Sequence, residues 1–415
     1  MSGAYQIAES MLLKNRHLQR YLPPWLIIAL IIILSIIGPL STDMYLPGLM
    51  MIVEEFATTE AILNITLYGF LFTQSLAILV LGPASDKYGR KPVLLASIVV
   101  YIVSSLLCGM AGTIELFIAL RLIQGAATGG LMVIATALIK DCFAEAVRNR
   151  VLTMTMVFTI IGPLLAPIIG AQMIEYISWQ STLIAPGFVT VPALIIALFL
   201  CESRPEEDRL TGSIPQVIGH MFTLCRHRGF TLFLVSMGIL TLPFMTYLAI
   251  SSYIYTGTFC TTSTTYSLIL AANIVIGTAG MLVLQLVGKK AGMRTEGRII
   301  LGLVLLSGIL MVLFGHTGPL ACLLCFTPCA IGVITARPYG LNVLLQEFEH
   351  DTGSVSALFN FSLMFLGCIG MILGTLPWSS YISGLAVCIL LGAGIGIAAW
   401  LLLRASGMKL KGLRR

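Results

Sequence analysis

Charge is what this chain has least of. Asp, Glu, Lys and Arg make up 10% of its 415 residues, against about 25% in soluble domains. With 58% hydrophobic residues, that scarcity excludes a water-soluble globular protein. Histidine is rarer still, at five; none lies in the middle of an apolar stretch, and His316 stands at the edge of one. The alternating segments of about ten residues that build a membrane β-barrel are absent. So is a G-x-x-x-x-G-K-[ST] phosphate loop, which argues against ATP as the direct driver of any transport. Gly392, Gly394 and Gly396 form G-x-G-x-G without a preceding strand, so they read as close helix packing and not as a dinucleotide site. The ten cysteines are scattered. Cys322, Cys325 and Cys329 share a helix face but lack the second pair or the histidine that a metal site needs. They read as small packing residues, and no disulfide framework, metal or cofactor is expected.

What is present is a series of apolar stretches, near 25–47, 61–82, 93–111, 115–138, 151–173, 181–201, 230–255, 265–287, 299–316, 319–345, 354–374 and 381–403. Each is long enough to cross the hydrocarbon core as a helix. Of the 24 Lys and Arg, all but Arg121 and Arg337 lie outside these stretches. They gather before span 1, in the loops after spans 2, 4, 6 and 8, and after span 12. Short basic loops stay in the cytoplasm. The chain is therefore expected to be an all-α polytopic membrane protein with twelve crossings and both termini cytoplasmic. On this reading the net charge of +6 sets topology and points to no nucleic-acid partner; the bilayer is the partner. The first residues carry Lys14, Arg16, His17 and Arg20 without a cleavage-site pattern, so span 1 is expected to be retained.

The longest polar gap, 202–229, has six spans on either side. It divides the chain into an N-terminal six-helix bundle at 1–201, a cytoplasmic linker at 202–229 and a C-terminal six-helix bundle at 230–415, as in transporters built from repeated halves. A weak echo supports the division. Asp86-Lys87-Tyr88-Gly89-Arg90-Lys91 follows span 2, and Lys289-Lys290-Ala291-Gly292-Met293-Arg294 follows span 8. The second copy lacks the acid.

Four motifs carry a family resemblance. Gly82-Pro83-Ala84-Ser85-Asp86-Lys87-Tyr88-Gly89-Arg90-Lys91-Pro92 resembles the loop between spans 2 and 3 of the major facilitator superfamily. Arg121-Leu122-Ile123-Gln124-Gly125 resembles its span-4 arginine motif. Gly162-Pro163-Leu164-Leu165-Ala166-Pro167-Ile168-Ile169-Gly170 resembles the motif of its antiporters; a Gly/Pro kink in a packed helix is the other reading of this stretch. Ser41-Thr42-Asp43-Met44-Tyr45-Leu46-Pro47 closes span 1. Together these are similar to the twelve-span drug:proton antiporters, most of all the bicyclomycin/chloramphenicol-resistance (Bcr/CflA) branch. The resemblance is strongest over 41–170. Ser35 stands where some relatives carry a second acid, so exchange of multiply charged cations is not expected. The resemblance implies the major facilitator fold, a monomer, the bacterial inner membrane, and a loop whose Gly82, Asp86, Gly89, Arg90 and Lys91 latch the protein on its cytoplasmic side. Asp86 would face the start of span 11 at Asp351-Thr352-Gly353-Ser354.

Three charges remain inside the bilayer. Asp43 is the only one of 18 acidic residues well inside a span; Glu115 sits at an edge. Helix rise places Asp43 about 6 Å and Arg121 about 9 Å from the outer surface, so pairing between them is expected. An ionised carboxylate in a span costs roughly 2.5–3.5 kcal/mol, and such residues rarely lack a function. Asp43 is the candidate proton carrier with Arg121 beside it; a static ion pair is the structural alternative. Arg337, near the inner third of span 10, either snorkels to the interface or meets a polar or anionic group of a substrate. Pro338 and Gly340 suggest a locally broken helix there.

These residues point to a proton-driven multidrug exporter, conferring antibiotic resistance on small, mostly apolar, neutral or singly charged compounds. The cargo would occupy an amphipathic cavity. Met44, Tyr45, Tyr68, Phe244, Tyr247, Tyr253 and Tyr339 are wall candidates with Arg337, each also open to reading as plain packing. A proton-coupled importer of a small nutrient is the first rival and a membrane-embedded enzyme the second. No nucleophile–base pair supports the enzyme.

Overall fold

In the computed structural model of this chain, residues 21–347 and 352–406 are described. Lys14, Arg16, His17, Arg20 and Asp351 lie outside them. The described residues are all-helical, without a β-strand. Twelve helical stretches are long and apolar enough to cross a membrane: Pro24–Glu55, Glu60–Tyr88, Arg90–Cys108, Ile114–Cys142, Arg150–Tyr176, Trp179–Phe199, Arg228–Thr258, Ser263–Ala291, Met293–Phe314, Pro319–Glu347, Gly353–Gly374 and Tyr381–Ala405. They are spans 1 to 12 below. Helices are the expected answer in a bilayer, because a helix satisfies its backbone polar groups within one segment.

The ends of the helices follow from local chemistry. Thr59, Thr113, Ser178, Thr262 and Ser380 each accept a hydrogen bond from a backbone N–H in the first turn of spans 2, 4, 6, 8 and 12. Such N-caps contribute about 1 kcal/mol each. Spans 3 and 9 begin differently. Gly89 at φ 102° and Gly292 at φ 87° precede them, in a region that side chains avoid. The echo between the two basic loops thus has a structural counterpart. Span 1 is interrupted. Its first helix runs Pro24–Asp43, a short 3₁₀ turn covers Leu46–Gly48, and helix resumes over Leu49–Glu55. Pro47 disfavours a helical conformation in the residue before it, which accounts for a break close to Asp43.

Within the polar gap at 202–229, Ile214–Thr223 forms a helix, with apolar Ile214, Val217, Ile218 and Met221 at helical spacing. One expectation needs correction: span 10 is not broken at Pro338. The helix runs from Pro319 to Glu347 through both Pro328 and Pro338. Proline deletes one backbone hydrogen bond, but the next turn is held by packing: a Cβ added at Gly340 would stand 2.8 Å from the Phe359 ring.

The chain forms two compact units: residues up to Leu46 with Leu76–Ile218, and Pro47–Ser75 with Gly219–Arg415. The core of the first includes Leu30, Leu34, Ile98, Leu131, Ile134 and Ala193, from spans 1, 3, 4 and 6. Each unit also contains a close crossing made by glycine. In the first, a Cβ at Gly170 of span 5 would run into the Met44 carbonyl oxygen, and one at Gly162 would stand 3.4 Å from Pro39 Cβ. In the second, a Cβ at Gly370 of span 11 would run into the Leu242 carbonyl oxygen, and Thr246 Oγ1 donates to Gly370 O at 2.7 Å. Small residues let membrane helices approach this closely.

Gly170→Ala is expected to destabilise the first unit by about 1–3 kcal/mol or more, as overpacking does, because the obstacle is backbone and cannot rotate away. Gly394, with nothing within 4 Å of an added Cβ, is the control: Gly394→Ala should be neutral or gain up to about 1 kcal/mol of helix propensity. Thermal unfolding of the purified proteins in detergent compares them. Gly170→Ala melting with the wild type would contradict the close crossing.

Candidate functional site

Asp43 ends the first helix of span 1 and is 8% exposed. Its Oδ1 accepts a hydrogen bond from the Thr42 hydroxyl at 2.8 Å. Among the described residues it forms no ion pair, so the expected pairing with Arg121 is not what the structure shows. Arg121 is fully buried at 0% exposure. Its NH1 donates to Gln124 Oε1 at 2.6 Å, one turn along span 4. Its NH2 donates to the Tyr45 hydroxyl at 3.4 Å, and the guanidinium carbon lies 4.7 Å from the Tyr45 ring centroid. The helix stops at Asp43, so Tyr45 leaves the helical path and its ring meets the cation. A desolvated cation–π contact of this kind is worth about 2 kcal/mol.

Polar bonds spread outward from this centre. Gln124 Nε2 donates to Ser105 Oγ at 3.2 Å, and Ser105 Oγ donates to Leu183 O at 2.6 Å. Ser41 Oγ and the Tyr101 hydroxyl share a hydrogen bond at 2.5 Å. Spans 1, 3, 4 and 6 are therefore joined by hydrogen bonds between buried polar groups. Chemically, the site holds a fixed cation and, separately, a carboxyl that no cation locks in its charged form.

The loop between spans 2 and 3 is a second centre. Arg90 is 6% exposed and grips three partners: Asp86 Oδ1 at 2.6 Å, Asp141 Oδ2 at 3.0 Å and Ser85 Oγ at 2.6 Å. Asp86 also pairs with Arg204, and its carbonyl accepts from Leu210 N at 3.0 Å. The Glu202 carboxylate accepts from the backbone N–H groups of Arg90, Lys91 and Arg204, at 2.8, 3.1 and 3.1 Å. It caps span 3 where the helix end is partially positive. Gly89 makes room for it, since a Cβ there would press on the Glu202 carboxylate. Lys91 Nζ donates to Leu198 O at 2.8 Å. Gly82 makes only an ordinary contact, 3.4 Å from an added Cβ to Val133. The partners shown for Asp86 are thus Arg90 and Arg204.

The antiporter-like stretch, with Gly162, Pro163, Pro167 and Gly170, lies within the continuous helix Glu145–Tyr176. Its role in the structure is the crossing at Met44, next to Asp43. Of the wall candidates, Met44 and Tyr45 are buried at 4% and 0%. Tyr247 stacks on Phe326 with ring centroids 3.9 Å apart, and its hydroxyl accepts from Asn273 Nδ2 at 2.9 Å. Tyr253 donates to Asn64 Oδ1 at 3.3 Å. Tyr339 donates to Met293 O at 2.8 Å. All three are buried inside the second unit, whereas Tyr68 and Phe244 are half-buried. Arg337 is exposed, and its NH2 donates to Asn360 Oδ1 at 3.2 Å. The residues that sequence reasoning passed over are Tyr101, Ser105, Gln124, Asp141, Glu202, Arg204 and Asn360. Gln124 stood inside a motif already singled out; the others carry no local signal.

Residues 31–371 match the family model for the Major Facilitator Superfamily. The chain is 26% identical over 345 residues to the uncharacterized MFS-type transporter YdgK of Bacillus subtilis (strain 168), covering 81% of this chain and 85% of that protein. It is 34% identical over 173 residues to the multidrug resistance protein MdtL of Escherichia coli (strain K12 / DH10B), covering 41% of this chain and 44% of that one. Among solved structures, a D-xylose-proton symporter superposes with a TM-score of 0.72 at 15% identity, over 94% of this chain and 99% of that chain. The nucleoside transporter NupG, solved as a point mutant, superposes with a TM-score of 0.69 at 15% identity, over 91% and 99%. At that identity the likeness concerns the fold.

Glu202→Ala is expected to leave three backbone N–H groups without their acceptor and to cost about 1–3 kcal/mol. Glu202→Gln, which keeps an acceptor oxygen, should cost less. Both are read by thermal unfolding of the purified protein. An alanine variant as stable as wild type would show that the cap contributes nothing.

Proposed function

The chain belongs to the Major Facilitator Superfamily, and on that footing we propose that it is a proton-coupled exporter of small, mostly apolar compounds, neutral or singly charged. It is a multi-pass membrane protein of twelve helices, placed by this reading in the bacterial cytoplasmic membrane with both termini inside. The observation that carries the proposal is the Asp43 carboxyl: buried, at a helix end, and joined to no cation among the described residues. A residue in permanent ion pair has no reason to change protonation in a transport cycle. One without an ionic partner can bind a proton in one state and lose it in another. Arg121, fixed under the Tyr45 ring, keeps a positive charge in the same unit without neutralising the acid.

Multidrug export draws support from the partial match to MdtL, a multidrug resistance protein, and from the Gly162–Gly170 stretch that resembles the antiporter motif. The solved structures of similar fold include a proton symporter for D-xylose, so uptake is the rival reading, and direction must be measured. The loop network of Asp86, Arg90 and Glu202 serves alternating access, in which a rigid cluster is broken and remade once per cycle. Asp86→Asn should accordingly slow turnover while changing equilibrium cargo affinity little. An affinity loss as large as the rate loss would count against that role.

In proteoliposomes, Asp43→Asn should abolish gradient-driven export of a neutral phenicol-type compound and leave its binding within a few-fold of wild type. Export in exchange for one proton moves one net charge inward, a step assisted by about 2.3 kcal/mol per 100 mV of inside-negative potential. Export of the neutral compound should be electrogenic, and a dication should move poorly. Full export by Asp43→Asn would remove the proton carrier from this account. Uptake that rises with an inward proton gradient would reverse its direction.

A further inference from the structure

Arg337 is exposed where its helix face is otherwise closed. Residues seven apart share a helix face. Ala330 and Leu344, seven before and seven after Arg337, are both 0% exposed, and Phe326 on the same face is also at 0%. The apolar stripe that span 10 leaves open is a different face, with Leu320 at 65% and Leu324 at 57%. One turn beyond Arg337, the helix touches two neighbours: a Cβ at Gly340 would stand 2.8 Å from the Phe359 ring of span 11 and 3.4 Å from Met237 Cβ of span 7. Arg337 therefore opens towards spans 7 and 11 and not along the apolar stripe. That is a poor position for snorkelling to an interface.

Among the described residues its one hydrogen bond goes to Asn360 Oδ1 on span 11, at 3.2 Å. The Asn360 amide is oriented by its own helix, Nδ2 donating to Ser356 O at 2.9 Å, so the oxygen is held towards the guanidinium. That bond uses one of the five N–H donors of arginine. Among the described residues no carboxylate pairs with Arg337. A guanidinium with an open fork matches a planar acceptor with two oxygens.

We propose that Arg337 and Asn360 form a cargo subsite for a planar two-oxygen group, a carboxylate above all, carried on an otherwise apolar aromatic molecule. It rests on the exporter reading only for the direction of transport. A monoanion leaving as a proton enters moves charge in the sense an inside-negative potential favours.

The test uses the full-length protein in nanodiscs of phosphatidylcholine alone, with no gradient. The probes are a quinolone-type aromatic carboxylic acid and its methyl ester, bound at pH 7.5. Wild type should bind the acid at least about tenfold tighter than the ester, the scale of a hydrogen-bonded charge. Arg337→Gln should erase that preference by weakening the acid, with the ester within twofold of wild type, which also shows that the variant is folded. Arg337→Lys should keep part of it, because ammonium supplies charge without the fork. Equal binding of acid and ester by wild type, or equal losses for both in Arg337→Gln, would overturn the proposal. So would the signature of a lipid-phosphate site: unchanged binding of both probes in Arg337→Gln, with phosphatidylglycerol raising the Tm of wild type only. Because binding is read at equilibrium, a failure of proton-driven export bears on the exporter reading and leaves this result separate.

Discussion

Everything in the first unit is arranged around one difficulty: two charged side chains sit in a part of the chain that belongs in a bilayer. The structure handles them differently. Arg121, with no exposed surface, is held by the Gln124 amide and stacked on Tyr45. Asp43, two residues before that tyrosine, has a neighbouring hydroxyl. Breaking a buried ion pair is costly because it strands a charge. Under the proposed proton exchange, an acid that pairs with no cation among the described residues avoids that cost. The break in span 1 makes this possible, since it turns Tyr45 towards the arginine and leaves the carboxyl at the helix end.

The break in turn depends on packing. Span 5 lies against Met44 because position 170 is glycine, so the antiporter-like stretch meets the chain one residue from Asp43. The second unit uses the same device with different chemistry: Gly370 lies against Leu242, which is flanked by Thr241 and Pro243 and by no acid. The halves share glycine crossings and positive-φ glycines before spans 3 and 9. They differ in charge. The first half holds Asp43 and Arg121, and the second holds Arg337 with Asn360.

The fold was legible in the sequence because the bilayer leaves few choices: long apolar runs must be helices, and basic loops mark one side. Asp43, Arg121 and Arg337 were legible because charge in such runs is rare. How they are partnered was not. The Tyr45–Arg121 stack depends on where span 1 stops, and an aromatic residue two positions before a proline does not announce which way its ring turns. Asp141 and Glu202 looked like ordinary loop acids, since their partners at Arg90 and Lys91 are distant in sequence. Tyr247, Tyr253 and Tyr339 were open to reading as wall or packing residues because a packed ring and a ligand-facing ring have the same composition. The unbroken span 10 shows the reverse error. Proline weakens a helix locally, but close packing of its neighbours holds it together.

The central claim is that the Asp43 proton is exchanged for cargo. It is tested most directly by proton release: purified protein in detergent, in weakly buffered solution near neutral pH, is mixed with saturating neutral cargo while a pH indicator is followed. The account predicts release of up to one proton per bound cargo by the wild type and none by Asp43→Asn, although both bind. Release of the same size from Asp43→Asn would contradict it, because the proton would then come from another group.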